Sequence, residues 1–121
     1  MPEENSTPRR ILVVEDHADT AAALSRLFRL AGHEVNVAPT LADARRLGLE
    51  SVYDVIFCDI GLPDGNGTEI PALIKPRCPE TKLVALTARG RTYEVLAIRA
   101  AGFDAHVLKP VEPETLYQYL A

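Results

Sequence analysis

The 121-residue sequence has no tryptophan, a single methionine and two cysteines, and aromatic residues make up only 6% of it. Cys58 lies inside an apolar run and Cys78 in a proline-flanked loop, which is neither a disulfide framework nor a zinc-ligand spacing; reduced thiols in a cytoplasmic setting are the expectation. Long hydrophobic runs are missing too: none approaches the roughly 20 residues of a membrane span. The opening MPEENSTP is polar and acidic and lacks the apolar core of a signal peptide, so residues 1–8 read as a flexible arm and 9–121 as one domain. Basic clusters are equally absent. With 13 Lys and Arg against 17 Asp and Glu the net charge is -4, and no basic run interleaves with aromatics to neutralise a phosphate backbone. Direct binding to nucleic acid or to a membrane is therefore not expected.

What is present is a core-forming fraction of 47% hydrophobic residues, enough for one domain. Five short apolar runs, at 11–14, 34–38, 55–58, 83–86 and 105–108, alternate with segments of helical period. That alternation predicts an α/β protein, a parallel sheet with helices on both faces. The second and fifth runs alternate more in polarity, as edge strands do. Helical periodicity begins after Asp19, expected to cap the first helix, with Ala23, Leu24, Leu27, Phe28 and Leu30 as apolar positions and Gly32 as its stop. Thr40 is the expected cap of a second helix, Thr68 of a short third one bracketed by Pro71 and Pro76, and segments 91–101 and 112–120 supply the fourth and fifth.

In an open parallel sheet the binding crevice lies beyond the carboxyl ends of the strands. The residues there are Glu15 and Asp16 after the first strand, Asp59 after the third, Thr87 after the fourth, and Lys109 followed by Pro110 after the fifth. Three converging carboxylates repel one another unless a cation sits among them, and an all-oxygen donor set with few protein ligands is the Mg²⁺ pattern. Such an ion would also neutralise a phosphoryl group arriving at Asp59, with Lys109 and the Thr87 hydroxyl holding its remaining oxygens. Asp59 follows an apolar strand and precedes a loop rich in glycine, which makes it the best placed nucleophile for an acyl phosphate.

The pieces ILVVED, FCDIGLPDGNG, VALTA and VLKP, each at the end of an expected strand and in this order, resemble the receiver domains of two-component response regulators over the chain after its N-terminal arm. The resemblance implies a flavodoxin-like five-stranded sheet of order 2-1-3-4-5 flanked by five helices. It also implies that Asp59 is the phosphoacceptor and that Glu15 and Asp16, with Asp59 and the Gly61 main-chain carbonyl, hold Mg²⁺. Lys109 would pair with the phosphoryl group, Thr87 would be the switch hydroxyl, small Ala88 would leave the group accessible, and the Lys109-Pro110 bond would be cis. One position departs from the family pattern: His106 stands where Tyr or Phe is usual, three residues before the lysine. An imidazole changes charge near neutral pH, which would make a switch built on it pH-sensitive.

By the same resemblance the partners are a histidine kinase or phosphotransfer protein, whose choice rests on first-helix residues such as Thr20, Ala23 and Leu24, and a downstream protein on the face of helix four, strand five and helix five. A phosphorylation-dependent homodimer is one form of such output. Either a single-domain regulator or one piece of a larger chain, such as a hybrid kinase, fits this reading. Plainer roles stand beside these: Glu15 and Asp16 as solvated or capping acids, Asp59 as a turn residue, Thr87 as a ladder residue, Lys109 as a surface lysine, His106 as a half-exposed edge residue, and His33 as a solvent-facing turn residue. Cys58 should point away from Asp59 into the core. Arg89 belongs to a basic loop, two residues past Thr87, from which it would influence water's access. Two rival functions remain: a small Mg²⁺-dependent phosphatase using Asp59 as covalent intermediate, and a receiver-like scaffold independent of phosphate. With no second acid-base near Asp59 in sequence, slow self-dephosphorylation is all the catalysis expected.

Overall fold

The computed structural model describes residues 7–88 and 90–120. Most of the expected arm, Arg89 of the basic loop and the last residue of the expected domain lie outside the described residues. Five strands, β1 (Arg10–Val14), β2 (Glu34–Ala38), β3 (Val55–Asp59), β4 (Lys82–Thr87) and β5 (Ala105–Leu108), pair in parallel in the order β2-β1-β3-β4-β5. This is the 2-1-3-4-5 order, with the two more alternating strands at the edges.

Because neighbours on a strand face opposite ways, each central strand feeds two cores. Ile11, Val13, Val55, Phe57, Val84 and Leu86 meet α1 (Ala18–Leu30) and α5 (Pro113–Tyr117) through Leu24, Phe28 and Leu116. Leu12, Val14, Ile56, Cys58, Leu83 and Ala85 meet α2 (Leu41–Glu50), α3 (Ile70–Ile74) and α4 (Thr92–Ala101) through Leu41, Ile70, Ile74 and Ile98. Full burial of each large side chain contributes roughly 1.5–3 kcal/mol against chain entropy. Phe28 and Phe57 stack with centroids 5.4 Å apart and tie α1 to the middle of the sheet.

The helix ends partly revise the sequence reading. His17, not Asp19, is the N-cap of α1, and Asp19 lies in the first turn, where its charge still favours the helix dipole. The buried face of α1 is Ala21, Leu24, Ser25 and Phe28, whereas Leu30 is 75% exposed. Gly32 does end the helix, at φ 97°: its N–H donates to the Arg29 carbonyl and that of His33 to the Phe28 carbonyl, the paired closure that needs a left-handed residue. Gly102, at φ 111°, closes α4 in the same way. Thr40 caps α2 by accepting from the Asp43 N–H at 3.0 Å. Asn66, not Thr68, caps the third segment; it accepts from the Thr68 N–H and starts a 3-10 turn at Gly67–Glu69 before α3. The fifth helix likewise breaks into α5 and a 3-10 turn, Gln118–Leu120.

His33 is buried, contrary to its expected place in solvent, because its Nδ1 accepts the Arg9 N–H at 2.9 Å. Burial, and then the Arg9 charge, hold its pKa below the usual 6.5. The unfolded chain thus binds this proton more readily, so the stability from neutral His33 is complete above about pH 6.5 and is lost as pH falls through the lower folded value. Thermal unfolding from about pH 7 to 5 will show wild type losing stability relative to His33→Gln as pH falls. Parallel curves would contradict this account of His33.

Candidate active site

The strand register brings the polar termini to one edge: Val14 pairs with Cys58, Asp59 with Leu86, and Thr87 with Leu108. Glu15, immediately after β1, is 1% exposed, and one of its oxygens accepts the His17 N–H at 3.1 Å. Carboxylate oxygens of Glu15, exposed Asp16 and Asp59 all lie within 4.8 Å of one another. Lys109 reaches in from the end of β5, its Nζ 2.9 Å from Asp59 Oδ2 and 3.2 Å from Glu15 Oε1. The Lys109–Pro110 peptide that follows is cis.

Burial pushes the Glu15 carboxyl above its ordinary value, and the Asp59 charge adds to this, while its His17 hydrogen bond and Lys109 pull the other way without offsetting them. For Lys109, burial alone lowers the pKa, but the hydrogen bond and charge of Asp59, with the charge of Glu15, leave it above the usual lysine value. Three carboxylates against one ammonium leave an excess of negative charge. The donor set is entirely oxygen, so the cluster fits a hard divalent cation and not a thiolate- or imidazole-seeking one.

Asp59 is also a wall of a cleft of about 440 Å³ shared with Ile60, Gly61, Asn66, Thr87, Ala88 and Glu94. Gly61 is exposed, and a Cβ built on it would meet nothing within 4 Å. Its N–H donates to Asp59 Oδ1 at 3.2 Å, so both carboxylate oxygens are held, one by loop backbone and one by Lys109. Cys58 packs in the opposite core beside α3, and burial, then the charges of Asp59 and Glu15, push its thiol far up, which removes it as a nucleophile. His106 does not line the cleft; it sits on β5, half-buried and paired with Ala85, on the same sheet face as Thr87 one strand away.

Two features of the site were not foreseen. Asn66 and Glu94 contribute polar side chains to the cleft, Glu94 from the first turn of α4. The loop after Asp59 folds into a two-residue antiparallel ribbon, Gly61–Leu62 with Gly65–Asn66. The PDGNG turn residues are the sequence signal that could have found the ribbon. Nothing local marks Glu94.

The model of the response regulator receiver domain matches residues 11–121. The transcriptional regulatory protein DltR of Streptococcus agalactiae is 32% identical over 107 residues, 88% of this chain and 48% of that protein. PrrA of Mycobacterium tuberculosis is 34% identical over 104 residues, 86% of this chain and 45% of its own length. The chain thus spans about half the length of the curated relatives it matches. The BeF3-activated receiver domain of DrrB, a Thermotoga maritima protein, superposes with a TM-score of 0.83 at 32% identity, covering 93% of each chain. A response regulator from Burkholderia pseudomallei, solved with a phosphorylated aspartic acid and a calcium ion, has the same fold, with a TM-score of 0.87 at 22% identity over 93% of this chain and 66% of that one. The chain belongs to the response regulator receiver domain family, the phosphoacceptor modules of two-component signalling.

Proposed function

We propose that Asp59 is the phosphoacceptor of this receiver and that the domain works as a switch, not as a turnover enzyme. The observation that carries this is the cluster itself: a carboxylate held by Lys109 on one oxygen and by the Gly61 N–H on the other, next to two more acids, at the mouth of an open cleft. An Asp59 oxygen attacks the phosphorus of a phosphohistidine donor, a P–O bond forms, and the P–N pair leaves with the imidazole of a histidine kinase or phosphotransfer protein. Glu15 and Asp16, with Asp59 and the Gly61 carbonyl, are the residues that would hold Mg²⁺, which when bound supplies positive charge against the transferring phosphoryl oxygens.

Lys109 then follows the phosphoryl group, Thr87 takes one of its oxygens as the switch hydroxyl, and Ala88 and Gly61 leave room for it. His106, on Thr87's sheet face, takes the second switch position. The altered surface lies on α4, β5 and α5, where Tyr93, Leu96 and Leu108 are all more than half exposed and would suit a downstream protein or a second phosphorylated copy. A groove of about 390 Å³ along Thr20, Ala23, Leu24 and Pro110 supports donor docking beside the site. The domain boundary near residue 9, the cytoplasmic location and the absence of direct nucleic-acid contact belong to the same reading; among the described residues no helix is long and apolar enough to cross a membrane.

Phosphate release with excess acetyl phosphate tests switch against enzyme. About one phosphoryl group per chain, followed by release no faster than slow self-hydrolysis, is expected. Sustained rapid release would assign the site to a phosphatase.

A further inference from the structure

The loop that follows Asp59 is fastened at its tip to a helix far away in sequence. Asp64 Oδ1 accepts the Leu41 N–H at 2.7 Å and Oδ2 the Ala42 N–H at 3.0 Å, two of the donors that the first turn of α2 leaves without a helical partner. Thr40 takes a third, from Asp43. These two bonds hold the Asp64 carboxyl below the ordinary range.

Other contacts press the same parts together. Gly65 lies so close to α2 that an added Cβ would fall 2.6 Å from Leu41 Cδ2, and Arg45 of α2 pairs with Glu69 at 2.6 Å just beyond the loop. The loop is closed by its own ribbon and by the Gly67 N–H on the Ile60 carbonyl at 2.8 Å. It therefore moves as one piece, with β3 at its root and Asp64 at its tip. Gly61 has no side chain to fix it and sits between those two anchors.

We infer that Asp64 is a positioning residue for the phosphoacceptor site, holding loop 60–67 against α2 so that Gly61 stays where the divalent cation needs its carbonyl. The inference rests on the receiver reading of the site given above. Asp64 does not touch the reacting atoms; it acts through the loop, as outer partners of metal ligands do. Its two oxygens each take one N–H, so asparagine, with a single acceptor and an NH₂ facing the second donor, cannot replace it.

The test is the initial rate of phosphoryl uptake from acetyl phosphate as Mg²⁺ is varied, in wild type, Asp64→Asn and Asp64→Ala, together with thermal unfolding without metal. Asp64 is exposed, so both variants should fold. The Mg²⁺ concentration for half-maximal rate should rise on the order of tenfold while the maximal rate stays within about twofold. A lowered melting temperature with unchanged half-saturation would make Asp64 a helix cap only and overturn the inference. If wild type takes up no phosphoryl group, the receiver chemistry itself fails. Calorimetric Mg²⁺ affinity then decides on Asp64 separately: weaker binding in the variants upholds its positioning role, and equal binding overturns it.

Discussion

Lys109→Ala will destabilise the metal-free protein at pH 7 by about 1–2 kcal/mol, a fall in melting temperature of about 3–10 °C for a domain of this size. Breaking a fully buried ion pair costs about 3–5 kcal/mol. The Lys109 side chain is 29% exposed and Asp16 faces solvent, so water screens part of the loss. Removing the ammonium leaves the Glu15, Asp16 and Asp59 oxygens, all within 4.8 Å, without the charge that bridges Glu15 and Asp59.

Two conditions should narrow the gap between variant and wild type. Saturating Mg²⁺ restores positive charge and stabilises the folded state by mass action, and more so where Lys109 no longer competes. Acid does the same through Glu15, whose folded pKa is raised: the cost of its charge is absent below the ordinary 4.5 and appears as pH rises through the folded value. Lys109→Met, which keeps most of the aliphatic stem, should show the same pattern. A gap insensitive to both Mg²⁺ and pH would mean that Lys109 acts by packing its stem.

The sheet was legible because its signals are local. Each central strand is a short apolar run ended by a charged or hydroxyl residue, so strand positions and the residues at the crevice came from the same letters. Glu15, Asp59 and Thr87 stand at those ends, and Lys109 follows the edge strand β5. The face of α1 was harder to read, since Ala21, Ala22 and Ala23 in succession give little contrast and the apolar positions at Ala23 and Leu30 turned out to be exposed. The start of α1 depends on buried Glu15 receiving the His17 N–H, a contact that a capping rule applied to Asp19 does not contain.

Where a residue's partner is distant in sequence, its role was not readable. His33 looked like a turn residue after Gly32, yet it is buried by accepting from Arg9 on the chain entering β1. Asp64 was only one letter of the glycine-rich loop after Asp59, and the N–H groups that donate to its two oxygens sit at the start of α2. The ribbon that closes loop 60–67 is two residues a side, below the length at which strand periodicity is visible. The fold's frame was therefore local information, and the tuning of the site was not.

The most direct measurement is the intact mass of wild type and Asp59→Asn after incubation with acetyl phosphate, with and without Mg²⁺. The substitution keeps the size and one acceptor of the side chain but removes the charge that Lys109 neutralises at 2.9 Å and that, on the proposed function, would attack phosphorus. One phosphoryl adduct per wild-type chain, present only with Mg²⁺ and absent in Asp59→Asn, is the predicted result. An adduct that persists in Asp59→Asn, or none on wild type under any condition, would contradict the assignment of Asp59 as phosphoacceptor.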